Sequence, residues 1–173
     1  SVQSVYTFTD VPGGHGDLRS RPNLVRQQLS VGDDAGLRSV TRQPVDWLRD
    51  AGWYLDFDAR AGSGERVTLD PQQQLGELRL VANVPDNNAC RSNAETWLYA
   101  LRYLEGSYVP LAGAVAGRRF STNATVVGAS LMRVGTRLVS VLTDASGRLI
   151  PVGGSAAGAS PPTVRRVSWR ELD

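Results

Sequence analysis

Short apolar runs separated by turn-forming clusters recur along most of this chain. Val2–Thr9, Leu24–Val31, Leu37–Arg42, Trp53–Phe57, Glu65–Leu69 and Glu77–Val84 are rich in β-branched, aromatic and leucine residues, and each has the length of a strand. Between them lie Pro12-Gly13-Gly14, Gly32 to Gly36, Ala61 to Gly64 and Pro85 to Asn88, whose residues turn the chain through positive φ, fixed φ or side-chain bonds to the backbone. The pattern resumes at Thr96–Tyr103, Thr125–Val127, Arg137–Thr143, Arg148–Val152 and Val164–Trp169. Strands spaced by about 8–12 residues predict an all-β fold of antiparallel, short-stranded sheets, in a sandwich, barrel or propeller. Helix content is expected below about a tenth.

Two hairpins are legible. Arg137–Thr143 and Arg148–Val152 flank Asp144-Ala145-Ser146-Gly147, and the Gly32–Gly36 cluster joins two further runs in the same way. Two stretches are less plain. Pro44–Ala51 has room for a single helical turn opened by Pro44 and closed by Gly52, too short to stand as a helix, and reads as a connector. Trp97–Leu104 fits helical spacing through Trp97, Leu98, Leu101 and Leu104. It fits strand alternation equally through Trp97, Tyr99, Leu101 and Tyr103, and its aromatic content with the following Gly106 favours the strand. GGSAAGASPP, from Gly153 to Pro162, reads as a flexible loop over 153–163. No internal repeat stands out, although four-stranded units of roughly 40–45 residues would suit the hairpin spacing.

With 173 residues, 41% of them apolar, the chain can bury a core of single-domain size, and it reads as one all-β region over 1–173. No apolar run approaches the roughly 20 residues of a membrane span. The net charge is +2, with arginines scattered among acids, which argues against nucleic acid as a partner. All 19 basic residues are arginine, so lysine Schiff-base chemistry is excluded within the chain. Cys90 and His15 are the single cysteine and histidine, too few for a Cys/His zinc site. Cys90 could pair with a cysteine in an absent region of a parent protein or serve as a small packed thiol, and the residues leave both open.

The chain carries no nucleophile elbow, Walker loop, dinucleotide fingerprint or HExxH. Asp56 and Asp58 share one strand face, as paired carboxylates would, but the expectation is a solvated face behind buried Leu55 and Phe57. Asp86, Asn87 and Asn88 lack the alternation, glycine and terminal acid of a calcium loop. His15 sits in a glycine loop with no evident partner.

Several words occur in a telling order: RPNLVRQQL from Arg21, PVDW from Pro44, GWYLD from Gly52, GERV from Gly64, NVPD from Asn83 with Cys90 after it, WLYAL from Trp97, and RVSWREL from Arg166. In this order they resemble the last part of the C-terminal domain of the PilC/PilY-type family of type IV pilus tip adhesins and biogenesis factors. The resemblance covers almost the whole chain. It implies part of a modified β-propeller, with a β-sandwich as the alternative, in an exported protein of the pilus tip, outer membrane or cell surface. It also implies roles in pilus assembly, extension against retraction, adhesion and twitching motility. Implied partners are minor pilins or the pilus tip complex, a host or abiotic surface, and an absent N-terminal part of the parent. The family's acidic calcium loop has no match, so no metal site, cofactor or catalytic residue is carried over.

The matched positions Gly52, Trp53, Tyr54, Gly64, Glu65, Arg66, Trp97, Ser168 and Trp169 read as a structural signature: aromatic rings for packing, and glycines, Gly106 among them, for tight turns. Val164–Trp169 is expected to form a terminal strand that buries Trp169. The contacts of a non-enzymatic binding and assembly module would then fall on loops 10–23, 85–95, 105–120 and 153–163. An alternative is a glycan-binding or glycan-processing module, which needs exposed tryptophans flanking a cleft together with Asp56 and Asp58.

Overall fold

The computed structural model describes residues 2–10, 17–20, 23–32, 34–59, 63–85, 95–109, 115–121 and 125–152. Cys90, His15, Asp86 to Asn88, the 153–163 loop, Ser168, Trp169 and the expected terminal strand lie outside the described residues. Among those described, the chain is all-β, with one 3-10 turn at Leu18–Ser20. No helix among them is long and apolar enough to cross a membrane.

The strands are β1 (Ser4–Phe8), β2 (Leu24–Gln27), β3 (Leu29–Val31), β4 (Leu37–Val40), β5 (Gly52–Asp56), β6 (Arg66–Val67), β7 (Gln72–Gln74), β8 (Glu77–Val84), β9 (Glu95–Arg102), β10 (Val115–Ser121), β11 (Val126–Val134), β12 (Arg137–Asp144) and β13 (Leu149–Val152). They form sheets of three, seven and three strands. The first runs β1-β5-β2 and the central one β3-β4-β10-β9-β8-β6, with β7 also paired to β8. The last is the meander β11-β12-β13. Pairing is antiparallel throughout except between β2 and β5, which run parallel. The run read as one strand over Leu24–Val31 divides at Gln28, so a single extended segment serves two sheets.

The central sheet is covered on both faces. Alternation along β8 and β9 sends Leu78, Leu80, Ala82, Trp97, Tyr99 and Leu101 to one side, where they pack against Trp53, Leu55 and Phe57. Val81 and Leu98 face the other way and meet Val126 and Leu142 of the third sheet. Double coverage explains why nearly every residue of β8 is buried, charged ones included.

Trp97–Leu104 resolves in favour of the strand, as β9. Pro44–Ala51 contains one helical turn, in which the Asp46 carbonyl accepts from the Arg49 and Asp50 N–H groups at 2.8 and 2.7 Å. The expected loop 105–120 needs correction, because Val115–Ser121 is a strand in the middle of the central sheet, between β4 and β9. The run expected at Thr125–Val127 extends to Val134. It turns into β12 through Gly135 and Thr136, with Gly135 at φ +61°, the first central position of a two-residue hairpin.

Candidate functional site

The GWYLD, GERV and WLYAL words, distant along the chain, converge on one buried centre. β5 opens with Gly52 at φ +149°, where a Cβ would lie 2.0 Å from the Thr7 carbonyl oxygen, so only glycine lets β1 approach this closely. Trp53 next to it is fully buried, donates from Nε1 to the Tyr103 carbonyl at 2.9 Å and rests on Gly106. At Gly106 φ is +67° and a Cβ would stand 2.5 Å from the indole. Tyr54 points the other way and stacks on Tyr6, its neighbour across the strands, at 6.1 Å between centroids.

Glu65 supplies the charge at the centre. It accepts from the Arg38 guanidinium on Oε2 and from the Tyr99 hydroxyl on Oε1 at 2.6 Å, while Arg38 also donates to the Tyr99 oxygen. Both side chains of the ion pair are almost completely removed from water. The Arg38 guanidinium lies 3.7 Å above the Trp97 ring, a cation–π contact strengthened by desolvation. Trp97 itself donates to Glu95 at 2.8 Å and is 3% exposed. Burial, and then the Glu65 charge, push the Tyr99 hydroxyl far above its ordinary value of 10.0, with Arg38 opposing. Tyr99 therefore stays protonated and acts as a fixed donor.

Register explains how three strands build this cluster. Gly117 of β10 sits directly between Arg38 on β4 and Tyr99 on β9. A Cβ there would come within 2.7 Å of the Tyr99 ring and 3.3 Å of Arg38 Cβ, so the absence of a side chain is what lets Arg38 reach across to Tyr99. Arg38 and Gly117 did not stand out in the sequence, and Tyr99 did so only as part of the WLYAL strand. Of the remaining signature positions, Gly64 has φ +65° beside Pro85, and Arg66 is exposed on β6.

Asp56, the last residue of β5, and Asp58 just beyond it both reach Arg26, but the expectation of a solvated Asp56 needs correction. It is 6% exposed, accepts from Ser4 Oγ at 2.5 Å and faces Arg26 Nη2 at 3.5 Å. Asp58 meets the same Arg26 nitrogen at 3.1 Å. The two carboxylates clasp β2 to the end of β5 through one arginine. A second buried pair, Glu77 with Arg79 at 2.5 Å, lies on the opposite face of the central sheet. Among the described residues no group of three or more His, Cys, Asp or Glu side chains is placed to hold a metal ion. Trp53 and Trp97 are in the core, so neither offers the exposed aromatic platform that the glycan reading requires.

These observations define a layered all-β module whose motif residues make a packed, charge-neutralised core. Over 72 residues the chain is 35% identical to a type IV pilus biogenesis factor PilY1 homolog of Xylella fastidiosa (strain Temecula1). That match covers 40% of this chain and 5% of the relative's length, and marks a PilY1-related region. No protein-family model matches the chain, and no solved structure does.

Proposed function

We propose that this chain is a non-catalytic surface module of an exported type IV pilus biogenesis factor and tip adhesin. In this reading it forms a single all-β region, part of a propeller-like C-terminal domain, and supports pilus assembly, the balance of extension and retraction, and adhesion. It works without a bound cofactor. Its partners are minor pilins or other parts of the tip complex, a host or abiotic surface, and the remainder of its parent protein.

The observation that carries this reading is the stretch shared with the PilY1 homolog. The burial of Trp53, Trp97, Asp56 and Glu65 supports a scaffolding rather than a chemical role for the motif residues, since a catalytic group must reach substrate. The test is genetic. Removing the coding region for this chain in its own bacterium should abolish surface pili and twitching, with recovery when the region is restored. Normal piliation and twitching after its removal would overturn the proposal.

A further inference from the structure

Exposed strand edges are templates for pairing, and proteins ordinarily guard them by shortness, proline, charge or cover. In the central sheet, β3, β6 and β7 have three, two and three residues. In the first sheet, β2 is short, and β1 is tied to β6 through Gln3, whose side chain accepts from the Val67 N–H at 2.8 Å. The edge strand β13 contains Pro151. Among the described residues, cover or a bulge guards the first half of the nine-residue β11 alone. A bulge lies between Val126 and Gly128, and Gln72 Nε2 donates to the Ala129 carbonyl at 2.6 Å.

Among the described residues the second half, Ser130–Val134, has no bulge, proline or cover, and its one charge is Arg133. Val134 and Arg137 flank the two-residue turn and exchange backbone bonds with each other, so alternation along the ladder aims the N–H and C=O of Arg133 and Leu131 away from β12. The same count aims the Ala129 carbonyl outward, where Gln72 meets it. Among the described residues no backbone group pairs with the outward edge at Leu131 or Arg133.

The side chains around this edge specify what would fit. Met132 and Val134 are 47% and 60% exposed and share a face with Val139 and Val141 of β12. Residues 125–152 carry Arg133, Arg137 and Arg148 against one acid, Asp144. That acid is engaged by the Ser146 hydroxyl and by the backbone N–H groups of Ser146 and Arg148. Arg133 donates from Nε to the Gly135 carbonyl at 2.8 Å, and among the described residues neither it nor Arg137 has a carboxylate partner.

We propose that the edge of β11 from Ser130 to Val134 is a strand-addition site for an extended peptide segment of alternating apolar and acidic side chains. Its backbone would bond to Leu131 and Arg133, its apolar residues would extend the Met132–Val134 face, and its acids, on the opposite face, would meet Arg133. This inference rests on the edge alone and stands independently of the pilus assignment.

The probe is a short capped peptide of alternating valine and glutamate, compared with its valine–lysine counterpart, with backbone amide exchange as the readout. The glutamate peptide should protect the Leu131 and Arg133 amides and bind at least about tenfold more tightly than the lysine peptide. Arg133→Pro removes an outward N–H without touching the β12 ladder and should abolish binding. Should that variant fail to fold, Arg133→Gln keeps the backbone and should reduce discrimination between the peptides. No protection at millimolar peptide, equal binding of both peptides, or concentration-dependent self-association through this edge would each overturn the proposal.

Discussion

The two faces of the central sheet bury similar strands in different ways. On the Trp97–Tyr99 face, Arg38, Glu65 and Tyr99 satisfy one another, and fully buried Gln27 makes four bonds: to the Gln43 and Glu105 carbonyls, the Thr41 hydroxyl and the Gln43 N–H. On the face toward β11–β13 the apolar cluster is smaller, and three buried atoms, Gln74 Oε1, Arg79 Nε and Ser140 Oγ, have no hydrogen-bond partner among the described residues. An unsatisfied buried group costs about 1–3 kcal/mol. Among the described residues the polar groups of the first face are satisfied and three of the second are not, which favours the face of the motif residues as the more stable. The meander on the weaker side is left to open more readily, and it is also the sheet with the unguarded edge.

The largest effect should come from Trp53→Ala, which empties the middle of the stronger face. It should cost about 3–5 kcal/mol and lower the thermal midpoint sharply; a midpoint near that of the wild type would show that this face does not dominate. Glu65→Ala should come close behind, at about 3–5 kcal/mol, because it strands a buried guanidinium. Adding Arg38→Met should recover much of that loss in denaturant titrations, and strictly additive losses would mean that the pair is not coupled.

Gly117→Ala should cost less, about 1–3 kcal/mol, by crowding Tyr99 and Arg38. Ser140→Ala should have the smallest effect and the opposite sign. Losing an unpartnered buried hydroxyl should be neutral or stabilising by up to about 1 kcal/mol in the same titrations, and a clear destabilisation would show that the weaker face is better satisfied than its geometry indicates.

The sequence carried the local part of this architecture. The spacing of Trp53, Leu55 and Phe57 marked a strand with an apolar face, and Gly32–Gly36 and Asp144–Gly147 marked hairpins. It did not carry what depends on distant partners. Arg38 in LRSV has the pattern of a solvated strand arginine, because its partners Glu65 and Tyr99 are 27 and 61 positions away. β10 escaped notice because Gly117, Arg118 and Arg119 interrupt the apolar pattern, and the glycine is there to clear space for neighbours on two other strands. β7 is three glutamines, held as a strand by β8 rather than by any propensity of its own. The length of β11 was more accessible, since Gly135-Thr136 lies between two alternating runs.

Native-state amide hydrogen exchange across the whole chain tests the contrast between the two faces most directly. Amides of β5, β8 and β9 that bond within the ladders should exchange only through global unfolding. Ladder amides of β11–β13 should exchange through a partial opening at a distinctly lower free energy, with the first two sheets still folded. Equal protection in all three sheets, or slower exchange in β11–β13 than in β5, would contradict the account.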